Sequence, residues 1–116
     1  MGLAADPGVA KLSVSDYAQL GSLAEYLHLA VPDVRVTRSP GHSERGEQGA
    51  LDVLVIAADS TVLAAVIKVL PEFLRSRKPG VTVTATVEKK RRKLTVTVTA
   101  KDAEDARQVV EKFLDE

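Results

Sequence analysis

The sequence predicts a single α+β sandwich domain: a sheet of about four strands, mainly antiparallel, with helices packed on one face. Three observations carry this. Residues 81–87 and 94–100 alternate with period two: Val81, Val83, Ala85 and Val87, then Leu94, Val96, Val98 and Ala100, share one side, and threonines fill the other. That is the pattern of a sheet covered on one face only. Stretches beginning at Tyr17, Val62 and Ala103 repeat apolar residues every three or four positions, as amphipathic helices do. The length, 116 residues, suffices for one hydrophobic core but not two.

Taken in order, residues 1–9 read as a flexible leader, because Pro7-Gly8 interrupts any pattern; the domain then occupies 10–116. Residues 10–15 suit a first strand with Leu12 and Val14 on one face. Ser15 or Asp16 can cap a helix whose stripe is Tyr17, Leu20, Leu23, Leu27 and Ala30, closed by Pro32-Asp33. Residues 34–37 suit a second strand, and 37–49, TRSPGHSERGEQG, form one long polar loop. LDVLVIA, residues 51–57, stays open between strand and helix: its β-branched residues favour a strand, but it runs directly into a helical pattern.

From Asp59-Ser60-Thr61, an N-cap, a helix follows with Val62, Ala65, Val66, Val69, Leu70, Phe73 and Leu74 on its apolar face. Pro71 should kink or tighten it, and Pro79-Gly80 should end it. After the hairpin, Asp102 starts a last helix with Ala103, Ala106, Val109, Val110 and Phe113 buried. A ferredoxin-like arrangement is one way to connect these pieces, particularly with LDVLVIA as a strand.

Composition excludes more than it selects. Sixteen Lys and Arg balance sixteen Asp and Glu, so no overall field favours nucleic acid or membrane, and electrostatic function must be local. Without cysteine there is no disulfide, thiolate nucleophile or thiolate metal site. Residues 50–70 are long enough to span a bilayer, but Asp52, Asp59 and Lys68 interrupt them, so a buried core segment is expected and no membrane is assigned. The two histidines, His28 on a helix and His42 in the long loop, lack metal-ligand spacing, and no phosphate-binding glycine motif occurs. Neither a cofactor nor a metal is therefore expected. Asp52 and Asp59 would share a face if 51–74 were one helix, but a cap and a surface residue explain them more simply.

Candidate interaction residues are cationic. Lys89, Lys90, Arg91, Arg92 and Lys93 form the hairpin tip, and Arg75, Arg77 and Lys78 follow the second long helix. Such clusters can grip phosphates, although the hairpin offers no aromatic side chain for base stacking. A solvated turn is the simpler explanation of the tip.

Residues 46–86, GEQGALDVLVIAADSTVLAAVIKVLPEFLRSRKPGVTVTAT, resemble the first class of effector-associated constant components, small proteins of multicellular bacteria, actinomycetes above all. The likeness lies in the Gly-containing polar loop before an apolar segment, the helix ending FLRSRKPG, the VTVTAT strand and the helix after the hairpin. The amphipathic first helix followed by VRVT extends it over the chain from Lys11. The family tends to carry Trp where this chain has Phe73. The resemblance implies a non-enzymatic component of bacterial conflict systems, encoded beside variable effectors such as proteases or NTPases, with no catalytic residues to carry over. The expectation is a cytoplasmic interaction module that docks an effector protein and is able to self-associate as a homo-oligomer. Nucleic-acid binding through the basic tip is the alternative.

Overall fold

The computed structural model describes residues 7–40, 52–77 and 80–115. The elements are β1 (Pro7–Val14), a 3-10 turn at Tyr17–Gln19, α1 (Leu20–Ala30), β2 (Val36–Ser39), β3 (Val53–Asp59), α2 (Ser60–Arg75), β4 (Val83–Lys89), β5 (Arg92–Val98) and α3 (Ala103–Asp115). The strands form one sheet in the order β2-β3-β1-β4-β5, each neighbouring pair antiparallel. The sheet thus has five strands rather than about four. The difference is LDVLVIA, which is strand from Val53 onward.

Period two sorts the side chains. Ala10, Leu12 and Val14 of β1, Leu54 and Ile56 of β3, and Val83, Ala85 and Val87 of β4 are all buried. They share one cluster with Leu63, Val66, Ile67, Leu70, Phe73 and Leu74 of α2. α1 adds Leu20, Leu23 and Leu27, and α3 adds Ala103, Ala106, Val110 and Leu114. Burial on this scale supplies the main favourable free energy of folding.

α2 and the 3-10 turn start where aspartate side chains accept orphan N–H groups. The Asp59 carboxylate accepts from the Val62 N–H at 3.0 Å, a cap that contributes about 1 kcal/mol. The same residue ends β3, so strand and helix join without a loop. Asp16 accepts from the Ala18 N–H at 3.2 Å and starts the 3-10 turn. α2 continues four residues beyond Pro71, to Arg75.

Several boundaries differ from expectation: α1 begins at Leu20 after the 3-10 turn, and the hairpin strands close on the turn at Lys89 and Arg92. β2 lies at 36–39 rather than 34–37. β1 begins at Pro7, so residues 7–9 belong to the sheet rather than to a leader. Proline is tolerated as the first residue of a strand. Gly8 fits a tight space there: an added Cβ would lie 2.9 Å from Leu63 Cδ1 and 3.0 Å from the Glu88 carbonyl oxygen. The missing side chain lets the first turn of α2 close over the end of β1.

Candidate functional site

The basic tip is less free than its sequence suggests. The two-residue turn between β4 and β5 is Lys90-Arg91, with φ of 53° and 67°. Both residues left-handed is the type I′ geometry that matches strand twist, and it favours Asn-Gly. The cations therefore sit in a conformation that costs non-glycine residues about 1–2 kcal/mol each. Lys90→Asn with Arg91→Gly should raise stability by about 1 kcal/mol in urea unfolding. An unchanged or lowered midpoint would contradict the strain.

Lys89 continues the inward row of Val83, Ala85 and Val87, and is 7% exposed. Its Nζ donates to the Leu114 carbonyl oxygen at 2.5 Å. Arg92 Nη2 donates to the Phe113 carbonyl oxygen at 3.2 Å, and its guanidinium lies 4.8 Å from the Phe113 ring centre. Two of the five tip cations thus close the C-terminal end of α3, where the helix dipole and unsatisfied carbonyls favour positive charge. Lys90, Arg91 and Lys93 are exposed and border a cleft of about 470 Å³ shared with Gly8, Val9, Ala57 and Glu88.

The second predicted patch lies elsewhere. Arg75 pairs with Glu72 at 2.9 Å. Arg77 Nη1 donates to Gln19 Oε1 at 3.0 Å, and its guanidinium lies 4.6 Å from the Phe73 ring centre. Arg77 thereby ties the end of α2 to the 3-10 turn. Lys78 lies outside the described residues. Arg77 flanks the start of β4 and the tip its far end, roughly 20 Å away at about 3.3 Å per residue. The two patches do not form one phosphate-binding surface.

Asp52 and Asp59 are separated as well. β3 runs between them, and Asp52 pairs instead with Arg38 Nε at 3.1 Å. Arg38 Nη2 also donates to the Tyr17 hydroxyl at 2.8 Å. These bonds, to Tyr17 first and then Asp52, raise the Arg38 pKa and fasten β2 to the turn before α1. No local spacing announces this trio, whose members lie 21 and 14 residues apart. His28 is exposed in the last turn of α1, and His42 lies outside the described residues.

The opposite sheet face carries no helix among the described residues. Its middle row runs Thr37, Val55, Lys11, Thr86, Thr95 across all five strands. Val53, Ala57 and Val9 lie on the same face beside Val55, and the hydroxyls of Thr86 and Thr95 meet at 3.2 Å. A trough of about 330 Å³ crosses the face between Ser39, Val53, Lys11 and Thr84. Its pattern was legible in the alternation of β4 and β5. The valines of β3 were not, because β3 is apolar on both faces.

Among the described residues no group of His, Cys, Asp and Glu is placed to hold a metal, and no helix is long and apolar enough to cross a membrane. Among the described residues, a five-stranded sheet with helices on one face only defines a small α+β domain. The chain belongs to the family Effector Associated Constant Component 1, whose model matches residues 13–114. By that membership it is an effector-associated component of conflict systems. No curated protein and no solved structure matches it.

Proposed function

We propose that this chain is a cytoplasmic, non-enzymatic adaptor that couples to a separately encoded effector, such as a protease or NTPase, by docking it on the bare sheet face. The observation that carries this is the group Val9, Val53, Val55 and Ala57, half-buried or exposed on the sheet and bordered by Thr37, Ser39, Lys11 and Glu88. Apolar side chains gathered on one face mark interaction surfaces. Small β-branched side chains form a flat surface suited to close packing against a partner. Within this proposal, β1 to β4, in the order β2-β3-β1-β4, form a ferredoxin-like core to which β5 and α3 are appended.

The test is co-expression with the product of the neighbouring effector gene. Co-purification that survives nuclease and is lost on Val55→Glu, with the circular dichroism spectrum unchanged, is expected. Binding that persists in Val55→Glu, or no binding at all, would overturn the docking face. The second reading, nucleic-acid contact, is supported by the exposed Lys90, Arg91 and Lys93 around the tip cleft. It predicts a salt-sensitive gel shift that disappears when those three become Gly or Ser.

A further inference from the structure

We infer that two copies of this chain pair antiparallel along β5, about a two-fold axis, to make one continuous ten-stranded sheet. β5 is an edge strand of seven residues, hydrogen-bonded to β4 in unbroken register. The other edge, β2, has four. In a two-residue hairpin the pair flanking the turn, here Lys89 and Arg92, exchanges both hydrogen bonds. Alternation then turns the N–H and C=O of Lys93, Thr95 and Thr97 away from β4. Cations protect the first positions of this edge, as is usual, but Leu94–Val98 has neither charge nor proline.

The apolar layer, complete at Val98, thins along the rest of this edge. Val83, Ala85 and Val87 of β4 are fully buried, whereas Leu94 and Val96, on the same face of β5, are only half-buried. Above them Val109 of α3 is 46% exposed, one turn from Phe113, whose ring packs on Arg92 of β5. Sheet and helix layers therefore both present apolar surface along one side of the molecule.

Charge selects a second copy as the occupant. β5 begins at a basic turn, Lys90, Arg91 and Lys93, and the chain beyond its end turns acidic at Asp102, Glu104 and Asp105. Glu104 pairs with Arg107, while Asp102 and Asp105 carry no ion pair among the described residues. Antiparallel pairing centred on Thr95 sets Lys93 beside the partner copy's Thr97 position and Leu94 beside its Val96 position. It also brings each basic turn to the acidic start of the other α3, twice by symmetry. Parallel pairing would oppose like charges. The zero net charge leaves no long-range repulsion.

The test is sedimentation velocity of the full chain from micromolar to millimolar concentration. The expected species has twice the 12.4 kDa monomer mass and does not grow further, because a two-fold edge pairing closes. Thr95→Pro removes an outward N–H without touching the β4 ladder, and should raise the dimer dissociation constant at least about tenfold. Arg91→Glu should weaken the dimer, and Arg91→Glu with Asp105→Arg should restore it. Should Thr95→Pro lose its circular dichroism signal, the charge-reversal pair decides alone. A monomer throughout, an open-ended assembly, or a dimer indifferent to both the edge and charge variants would overturn the proposal. A monomer that binds an effector only through β5 would give the edge to a strand of that partner instead.

Discussion

Phe73→Ala is expected to lower the unfolding free energy by about 3–5 kcal/mol. Phe73 is fully buried and heads the largest buried side chains. It occupies the last turns of α2, where Tyr26 of α1 packs at 5.7 Å between ring centres and the Arg77 guanidinium lies over the Phe73 ring, 4.6 Å from its centre. Truncation removes transfer free energy and leaves a cavity whose walls belong to three elements that cannot all collapse into it. It also strips Arg77 of its aromatic platform, although Arg77 keeps its bond to Gln19. A domain of this size has roughly 5–15 kcal/mol in total, so the melting temperature should fall by about 10–25 °C. Urea unfolding with an unchanged slope is the direct measurement. A loss below about 1.5 kcal/mol, the scale of a volume-conserving core change, would mean that α1 and α2 move together freely and that Phe73 is not a keystone.

The hairpin could be read from sequence because each of its strands has one apolar and one polar face, so period two appears in the residue names. β3 could not. Val53, Leu54, Val55 and Ile56 are apolar on both faces, and Asp59 ends the strand while capping α2, so no loop divides strand from helix. A continuous apolar run ordinarily marks a strand buried on both sides. Here one of those sides is bare among the described residues, which is why β3 supplies most of the apolar part of the proposed effector face. Pro7-Gly8 misleads for a different reason. As a dipeptide it signals a turn, but its glycine answers to the crowding by Leu63 and the Glu88 backbone, contacts 55 and 80 residues away that no local pattern contains (63 − 8 and 88 − 8). The tip lies between these cases. Its charge is plain in the sequence, and extending the alternation by one step puts Lys89 on the inward face. What receives it, the end of α3, is visible only in three dimensions.

Lys89 and Arg91 should consequently behave as different kinds of residue, although two positions apart in one basic run. Lys89→Met retains an unbranched stem but loses the ammonium that closes the Leu114 carbonyl at the negative end of α3. A charged hydrogen bond of this type contributes about 1.5–3 kcal/mol, and that loss is expected. Lys89→Ala also gives up the buried stem, and should cost about 1–2 kcal/mol more. Both losses should appear in unfolding of the isolated protein, with no partner present. Arg91, exposed at the turn and with no partner among the described residues, should change stability by less than about 0.5 kcal/mol as Arg91→Ala. Its removal should instead register in association. Equal stabilities for Lys89→Met and the parent would mean that water satisfies the end of α3 equally well. Lys89 would then rejoin its neighbours as a contact residue. A loss confined to the Lys89 variants divides the run by the parity of the strand: the inward Lys89, with Arg92, holds the last helix to the sheet, whereas Arg91 acts in association.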